Sequence, residues 1–333
     1  MSILPLPADV PIYVGVDLGG TKILAVVGTA DGGVLSQELD ETPQGSATQV
    51  VDAMVRTARN ALDRIELSPD RVRGVGIACA GAINAKQGFV RHCPQVRVLD
   101  GAPLVRMFQD RWDIPSVIGN DANMAGLGEH RFGAGRGLSH LIYITVSTGI
   151  GSGIVIDGKV YEGASGYAGE FGHMTVDAHG PLGTSANPGA WESLCSGSAL
   201  SRIALRRLAA GAKSSLRMLL EAEGPEAVDA VAIFAAYRNK DPLAGLIIQR
   251  AITYLGAGLT NVVNILNPGR IIIGGGLSNE WDAYIVPAIA IMRGQAFAGI
   301  GPEVDVVRAG LGANNGALGA IAFAADGMTL PAT

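Results

Sequence analysis

The feature that most constrains this chain is a stretch that occurs twice. Residues 12–39 begin with IYVGVDLGG, a buried strand that runs into a glycine turn, and continue with two strands joined at Asp31-Gly32-Gly33. Residues 140–163 repeat the order: a strand, a glycine turn, a second strand, a turn at Asp157-Gly158 and a third strand. A repeated half-domain predicts two similar lobes, and two facing lobes create a single ligand-binding cleft.

The spacing of apolar residues predicts the remaining elements. Strands are expected at 72–81, at 115–121 and from 270, and helices at 48–65, near 102–112, at 196–211, 226–238 and 242–266, and near 314–326. Thr48 is the expected N-cap of the first helix. Each half is therefore predicted to be a mixed sheet with helices on its faces. The glycine turns after the strands are where such α/β folds bind ligands.

Composition and charge narrow the class of protein. The 333 residues carry a net charge of −5 and no block of Lys or Arg, so nucleic acid is not an expected partner. Three cysteines, Cys79, Cys93 and Cys195, are too few for a disulfide framework and favour a reducing compartment. The N-terminus lacks the basic region of a signal peptide, and the longest uncharged runs are broken by Gly, Ser, Thr or Asn. We therefore expect a cytoplasmic protein without a membrane span.

The hexapeptide DLGGTK, Asp17 to Lys22, is the first candidate site. Gly19 and Gly20 allow a sharp turn whose outward N–H groups suit a phosphate, and Thr21 and Lys22 could contact phosphate oxygens. Asp17 could orient a hydrated Mg²⁺. The same residues also fit a plain hairpin turn, and they are not a Walker loop, because no GxxxxGK[ST] pattern occurs.

Further candidates follow the predicted strand at 115–121, where Asn120 and Asp121 precede a helix. Asp121 fits the N-cap of that helix, and it also fits a carboxylate that accepts a proton from a substrate hydroxyl. Glu170 and His173, with Glu192 after a loop that contains two prolines, supply donors and acceptors that suit a polyol. The alternative interpretation of this last group is solvated charges in a loop.

Taken together, these motifs resemble the ROK family of sugar kinases, relatives of actin and hexokinase. DLGGTK, STGIGSGI, IGNDAN, GEFGHMTV, WESLCSG and IIIGGG occur in the family's order, and the resemblance extends from about Tyr13 to Ala325. It implies a two-lobed, actin-like or hexokinase-like (ribonuclease H-like) α/β fold with duplicated lobes. The implied small lobe is 1–120 with the terminal helix at 314–333, and the implied large lobe is 121–313. Repressors of the family carry a winged helix before this strand, and with 16 residues before Asp17 in this sequence we do not expect a DNA-binding repressor.

The resemblance also implies an activity, the phosphorylation of a hexose by ATP and Mg²⁺, usually at O6. Asp121 would be the general base. The residues that would hold the sugar are Gly81, Asn120, Asp121, Glu170, His173 and Glu192. The residues that would border the phosphates and adenosine of ATP are Asp17, Gly19, Gly20, Thr21, Lys22, Thr148, Gly149, Gly275 and Gly276. Within this set Asp17 would contact Mg²⁺ indirectly.

One departure from the family concerns zinc. In most members the His of GE-x-GH joins three cysteines in a structural zinc site, and by position those cysteines would be Gly183, Ser185 and Ala190 here. None of these residues matches a thiolate as a zinc ligand. Other potential ligands lie in the same part of the sequence, with a spacing that fits no standard site: His173, Asp177, His179 and Cys195. Because the implied base and sugar contacts are all retained, we expect an active kinase that needs no zinc.

Several alternatives remain open at this point. Glucose is the first choice of sugar, because Ala82 stands where some N-acetylhexosamine kinases of the family carry a basic residue. The alternatives are a kinase for an N-acetylated sugar, an amino sugar or another hexose, and a non-catalytic sugar-binding sensor. The retained Asp121 argues against a sensor, since a binding module needs no base. A polyphosphate donor would call for a run of basic residues, which this sequence lacks. Members of the family are often dimers or tetramers, so the resemblance allows a homodimer, but no feature of this sequence identifies an interface.

Overall fold

The computed structural model describes residues 10–183 and 186–329. Its strands are β1 Ile12–Leu18, β2 Lys22–Thr29, β3 Val34–Glu41, β4 Val72–Cys79, β5 Ala82–Asn84, β6 Phe89–His92, β7 Ser116–Asn120, β8 Leu141–Val146, β9 Ile150–Ile156, β10 Lys159–Val160, β11 Arg270–Gly274 and β12 Asp305–Arg308. Its α-helices are α1 Ala47–Asp63, α2 Leu104–Gln109, α3 Asp121–Phe132, α4 Trp191–Cys195, α5 Gly197–Ala209, α6 Leu216–Glu223, α7 Ala230–Arg238, α8 Pro242–Leu266, α9 Val286–Gln295 and α10 Asn315–Thr329.

Two five-stranded sheets have the same arrangement of strands. The first has the order β3-β2-β1-β4-β7 and the second the order β10-β9-β8-β11-β12. In the first sheet β1, β2 and β3 form antiparallel hairpins, whereas β4 runs parallel to both β1 and β7. In the second sheet β9 and β10 are antiparallel, and β11 and β12 are parallel. The repeat that the sequence predicts is therefore confirmed by the topology.

The chain divides into two compact units. Unit 1 contains the described residues of Met1–Tyr143, Gly153–Gly169 and Ala309–Thr333, and unit 2 contains Ile144–Ser152 and the described residues of Glu170–Arg308. Unit 1 thus includes α3, whereas the resemblance implies that α3 belongs to the large lobe, residues 121–313. The reason lies in the packing of α3 on α10, whose backbones touch. A Cβ at Gly128 would lie 2.5 Å from the carbonyl oxygen of Asn315, and one at Gly319 would lie 1.6 Å from that of Met124.

Helix α10 also lies directly on the first sheet. A Cβ at Gly15 of β1 would lie 2.0 Å from the carbonyl oxygen of Ala317, and a Cβ at Gly76 of β4 would lie 1.9 Å from that of Ala320. Glycine at both strand positions lets the helix backbone meet the strands without an intervening side chain. The place of α10 in unit 1 is therefore fixed by contacts between main chains.

Helix α1 covers the other face of this sheet, and its N-cap is Ser46. The Ser46 hydroxyl accepts a hydrogen bond from the N–H of Gln49 at 3.3 Å, and the Gln49 side chain accepts one from the N–H of Ser46 at 2.8 Å. This reciprocal pair is a capping box. The expected N-cap at Thr48 is therefore wrong, because a capping box outcompetes an isolated threonine two residues later.

Unit 2 is built around the 25-residue helix α8. Among the described residues, α8 is the one unbroken helix that is long and apolar enough to cross a membrane, and 61% of its most apolar window is buried within the protein. Core helices of soluble domains have the same character.

The short helix α6 is not among the helices that the spacing of apolar residues predicts. All three cysteines are free thiols and are buried.

Candidate functional site

The carboxyl ends of β1, β4 and β7 lie side by side in unit 1. Asp17 pairs with Ala78 in the register of β1 and β4, and Cys79 pairs with Asn120 in the register of β4 and β7. Adjacent parallel strands end at one edge of a sheet, which is where α/β folds place their ligands. The structure thus brings Asp17 and Asp121, from the two motifs DLGGTK and GNDAN, into one region.

Helix α3 begins at Asp121, and its N-cap is the preceding residue. The Oδ1 atom of Asn120 accepts hydrogen bonds from the N–H of Ala122 at 3.0 Å and the N–H of Asn123 at 3.1 Å. The interpretation of Asp121 as the N-cap is therefore wrong by one residue. Asp121 lies in the first turn, where its Oδ1 accepts a hydrogen bond from the Ala122 N–H at 2.8 Å and the helix dipole favours a negative charge.

Asn120 also fixes the loop that follows β4. Its Nδ2 donates a hydrogen bond to the carbonyl oxygen of Gly81 at 3.0 Å. Gly81 has a φ of +101°, and a Cβ there would lie 2.2 Å from the carbonyl oxygen of His92 and 3.0 Å from Cα of Cys93. Glycine is required at this position because the backbone of β6 packs on its α-carbon. Asp100 holds that backbone in turn, through a 2.6 Å hydrogen bond from the N–H of Cys93.

Two carboxylates in this region have raised pKa values. Burial, followed by the negative charge of Asp121, raises the pKa of Asp17 to about 7. Burial also raises the pKa of Asp121 above its ordinary value, although the hydrogen bond from the Ala122 N–H opposes this change. Perturbed titratable groups cluster at functional sites. Two neighbouring carboxylates repel each other, so this region favours a cation or a proton.

The turn between β1 and β2 is tight. The Gly19 N–H donates a hydrogen bond to the carbonyl oxygen of Lys22 at 3.0 Å, and the Thr42 hydroxyl donates one to the carbonyl oxygen of Gly19 at 2.8 Å. This N–H is used inside the turn and does not point outward as expected. Gly20 is half-buried, whereas Thr21 and Lys22 are exposed. The side chains of Thr21 and Lys22 are therefore the parts of this turn that a phosphate can reach.

In unit 2, Glu170 and His173 lie on one short turn. The turn packs flat on β9, because a Cβ at Gly172 would lie 2.1 Å from the carbonyl oxygen of Ile150. His173 Nε2 is 3.7 Å from Glu170 Oε2, and His173 Nδ1 is 3.9 Å from Glu192 Oε1. Within the described residues, Nδ1 of His173 is buried and makes no hydrogen bond. The imidazole therefore lies between two carboxylates, and its buried Nδ1 indicates a place for a polar ligand.

Glu192 is held in place by its neighbour in α4. The Trp191 ring is fully buried, and its Nε1 donates a hydrogen bond to the carbonyl oxygen of Tyr254 at 2.9 Å. A Cβ at Gly258 of α8 would lie 2.0 Å from this ring, so only glycine leaves room for it. Glu192 then reaches the turn after β8, where a Cβ at Gly149 would lie 2.8 Å from its Oε2.

The other predicted phosphate and adenosine residues follow the strands of the second sheet. The carbonyl oxygen of Thr148 accepts hydrogen bonds from the Ser198 hydroxyl at 2.7 Å and the Ser198 N–H at 3.1 Å. Gly275, after β11, has a φ of +83°, and a Cβ there would lie 2.5 Å from the carbonyl oxygen of Val146. Gly276 begins the following 3₁₀ turn. The turns after β8 and β11 therefore meet at one edge of the sheet.

The loop between His173 and Trp191 is closed by hydrogen bonds. Asn187 Nδ2 donates to the carbonyl oxygen of His173 at 2.6 Å and to the hydroxyl of Thr175 at 3.1 Å. The Trp191 N–H donates to the carbonyl oxygen of Met174 at 2.9 Å. These hydrogen bonds join the two ends of the loop.

Two of the three positions at which the resemblance implies zinc-binding cysteines are described by the structure, and neither Gly183 nor Ala190 has a side chain that binds a metal. A Cβ at Gly183 would lie 3.0 Å from Cβ of Ala190 and 3.4 Å from Cβ of Ser193, so two of the three former cysteine positions still meet, through apolar atoms. The third position, Ser185, lies outside the described residues. Within residues 10–183 and 186–329, no group of three or more His, Cys, Asp or Glu side chains could hold a metal ion.

Two residues at the candidate site are absent from the sequence-based prediction. Asn187 is one, because an amide in a loop gives no indication of which carbonyl it will reach. The other is Gly316, in the first turn of α10, where a Cβ would lie 2.5 Å from Oδ2 of Asp17. A glycine at the far end of the chain carries no signal that connects it with DLGGTK.

Comparison with known proteins gives this geometry a family context. The chain is 34% identical to a glucokinase of Streptomyces coelicolor, over 95% of this chain and 98% of that enzyme. It is 30% identical to a putative xylose repressor of Caldicellulosiruptor, over 89% of this chain and 73% of the repressor. Among solved structures, it is similar to a ROK family glucokinase from Streptomyces griseus in complex with glucose and AMPPNP. That match has 34% identity and a TM-score of 0.80, and it covers 95% of this chain and 99% of the other.

These likenesses extend across both sheets. The fold is the duplicated α/β fold of the actin and hexokinase relatives, as the motifs imply. The ROK family model matches residues 13–326, a range that runs from β1 into α10. With both motif-bearing sheets inside that range, the chain belongs to the ROK family.

Proposed function

We propose that this protein transfers the γ-phosphoryl group of ATP to O6 of a hexose, with glucose as the first candidate and Asp121 as the general base. The broader statement, that the chain is a sugar kinase, follows from its family and from 30–34% identity with glucokinases over 92–95% of its length. The sugar, the position phosphorylated and the residue roles are our proposal.

The observation that carries the proposal is the division of tasks between Asn120 and Asp121. Asn120 caps α3, so Asp121 is not needed to satisfy the N–H groups of the helix. Burial raises the pKa of Asp121, which makes its carboxylate a better proton acceptor. A base placed at a sugar hydroxyl contributes about 10²–10⁴-fold to the rate.

The proposed reaction gives each residue a role. Asp121 accepts the proton of the sugar hydroxyl as the new O–P bond forms and the bond between the γ-phosphorus and the β-phosphate oxygen breaks. Glu170, His173 and Glu192 hold ring hydroxyls. His173 Nδ1, buried and without a hydrogen bond among the described residues, is suited to one of them. Loss of these contacts would weaken sugar binding more than it would slow the transfer itself.

The phosphates of ATP have their own set of residues. The groups that we assign to them are the exposed side chains of Thr21 and Lys22 and the backbone at Thr148 and Gly149. Bound Mg²⁺ would neutralise the charge that develops on the phosphates. Asp17 fits a role in holding the water shell of that ion, because its carboxylate is crowded by Asp121 and gains from a nearby cation.

A coupled assay that follows ADP formation tests the proposal. The purified protein is incubated with Mg²⁺ and ATP and with each member of a panel: glucose, mannose, fructose, glucosamine, N-acetylglucosamine and N-acetylmannosamine. We expect glucose to give the highest kcat/KM, and the product to carry phosphate at O6. Turnover confined to an N-acetylated or amino sugar would replace glucose by that sugar, and no turnover with any member would overturn the proposal.

The alternative of a sugar-binding sensor has one observation in its favour, the 30% identity with a putative xylose repressor. A sensor binds sugar without consuming ATP. Calorimetry that shows hexose binding, together with no ADP formation, would identify a sensor. If the protein does turn over, the same calorimetry measures its affinity for the hexose, which can be compared with the KM from the kinase assay.

A further inference from the structure

Gly316 lies in the first turn of α10, with its α-carbon against the side chain of Asp17. A Cβ at this position would lie 2.5 Å from Oδ2 of Asp17, 2.9 Å from its Cγ and 3.4 Å from its Oδ1. Non-bonded carbon and oxygen atoms do not approach to 2.5 Å, so a side chain here would require either α10 or the Asp17 carboxylate to move.

Helix α10 is held against the first sheet by main-chain packing. Its backbone already touches the first sheet, where the carbonyl oxygens of Ala317 and Ala320 lie against Gly15 and Gly76. These contacts begin one residue after Gly316. A shift of the helix would break main-chain packing along both strands, which costs more than rotation of one side chain.

The segment before Gly316 is also held. Glu129 of α3 is fully buried, and its carboxylate accepts hydrogen bonds from the N–H of Gly310 at 3.0 Å and the N–H of Leu311 at 2.9 Å. Asn315 Nδ2 donates a hydrogen bond to the hydroxyl of Tyr143 at 2.8 Å. The start of α10 is thus fixed on both sides, and Asp17 is the group that would give way.

We propose that Gly316 is a positioning residue for Asp17: the missing side chain leaves the space in which the Asp17 carboxylate lies beside Asp121. In the proposed reaction, Asp17 helps to hold the hydrated cation, so a displaced carboxylate would slow phosphoryl transfer. This second part rests on the proposed function, whereas the steric part concerns unit 1 alone.

A double-mutant cycle of thermal unfolding, without any ligand, tests the steric part. We expect Gly316→Ala to lower Tm by about 3 °C or more in the wild-type background, from the strain of an overpacked site. Asp17→Ala removes the obstructing carboxylate, so Gly316→Ala should change Tm by no more than about 1 °C in that background. Gly327→Ala, on the same helix, is the matched control. Its Cβ would meet Cγ1 of Val117 at 3.7 Å, an ordinary contact, so this variant should not lower Tm, and the higher helix propensity of alanine should raise it slightly.

Steady-state kinetics tests the positioning part. Gly316→Ala should lower kcat by about 100-fold, the scale of a misplaced catalytic contact, and should leave the KM of the hexose within about threefold of the wild-type value. Gly327→Ala should retain the wild-type kcat. A structural defect without displacement of Asp17 would instead lower the amount of folded enzyme and leave kcat per folded molecule unchanged.

Two results would overturn the inference. One is a loss of Tm from Gly316→Ala that is equally large with Asp17→Ala, because the clash would then involve another group. The other is a Gly316→Ala enzyme with wild-type kcat. If the wild-type protein phosphorylates no hexose, the proposed function fails, while the unfolding cycle still decides whether Gly316 places Asp17.

Discussion

Asn120 donates a hydrogen bond from Nδ2 to the carbonyl oxygen of Gly81 at 3.0 Å, and the same side chain caps α3 through Oδ1. One amide therefore joins the loop after β4 to the helix that begins with Asp121. A residue of this kind fixes the direction of its neighbour without taking part in the proton transfer. The expected contact between Asn120 and the sugar remains a prediction, and these hydrogen bonds give Asn120 a second role.

Replacement of Asn120 separates its two hydrogen-bonding roles. Asn120→Ala removes both, and we expect it to lower the free energy of unfolding by about 2 kcal/mol, of which the cap contributes about 1 kcal/mol. Asn120→Ser keeps a capping oxygen and loses the bond to Gly81, so it should be intermediate in stability. Urea denaturation of the three proteins measures the order. Equal stability of the Ala and Ser variants would show that the cap contributes nothing.

The raised pKa of Asp17 predicts a dependence of stability on pH. The unfolded chain loses this proton near the ordinary value of 3.8, whereas the folded protein keeps it up to about pH 7. The contribution of this group to stability is therefore full below about pH 4 and is lost as the pH rises to 7. Over this range the free energy of unfolding falls by at most about 4 kcal/mol, because the Asp17 side chain keeps some contact with solvent.

Asp17→Asn removes this titration. We expect the variant to gain stability relative to the wild type as the pH rises from 4 to 7, with a constant difference above pH 7.5, in denaturant titrations without ligand. Asp113→Asn, at an exposed position of the same unit, is the control for the loss of one carboxylate. A difference between Asp17→Asn and the wild type that does not change with pH would contradict the assignment.

Asn187 is predicted to hold the loop that carries His173. Asn187→Ala removes two hydrogen bonds, and we expect a loss of about 1–2 kcal/mol in the free energy of unfolding. The KM of the hexose should rise, with little change in kcat, because His173 would be less well placed to bind the sugar. Asn239→Ala, exposed in the same unit, is the control for both measurements. An unchanged KM would remove Asn187 from the account of sugar binding.

Removal of transition metals should have no effect on this protein. The loop is closed by hydrogen bonds, and the positions of the family's cysteines that the structure describes meet through apolar atoms. We expect treatment with 1,10-phenanthroline, followed by assay with fresh Mg²⁺, to leave Tm and kcat unchanged. Elemental analysis that finds one zinc per chain, with loss of activity when it is removed, would contradict this prediction.

The architecture was predictable because the same pattern of strands and turns occurs twice in the sequence. Turn residues such as Asp31-Gly32-Gly33 and Asp157-Gly158 mark the hairpins, and the two sheets repeat one strand order. Local signals were less decisive where two candidates lay close together. Asp121 and Asn120 both suit an N-cap, and so do Thr48 and Ser46. In each case the extra hydrogen bond, to Gly81 or within a capping box, selects the residue that the sequence did not favour.

The site was predictable only as a set of motifs. Glu170, His173 and Glu192 come together in unit 2 as their motif order implies. A contact between a glycine and a carboxylate that lie far apart in the sequence cannot be predicted from the sequence. The glycine shows that a side chain is absent, but it does not show which group fills the space. Gly316 against Asp17 is one example, and Gly149 against Glu192 is another. Such contacts depend on tertiary packing, which neither periodicity nor turn chemistry reports.

The central claim is that Asp121 is the general base, and the rate of hexose phosphorylation by Asp121→Asn tests it most directly. The substitution keeps the size of the side chain and the oxygen that accepts the Ala122 N–H, Asn120 still caps the helix, and a buried carboxylate is removed, so Tm should not fall. We predict that kcat falls by about 10²–10⁴-fold, with the KM of the hexose changed much less. A folded Asp121→Asn enzyme with kcat within about threefold of the wild-type value would contradict the account.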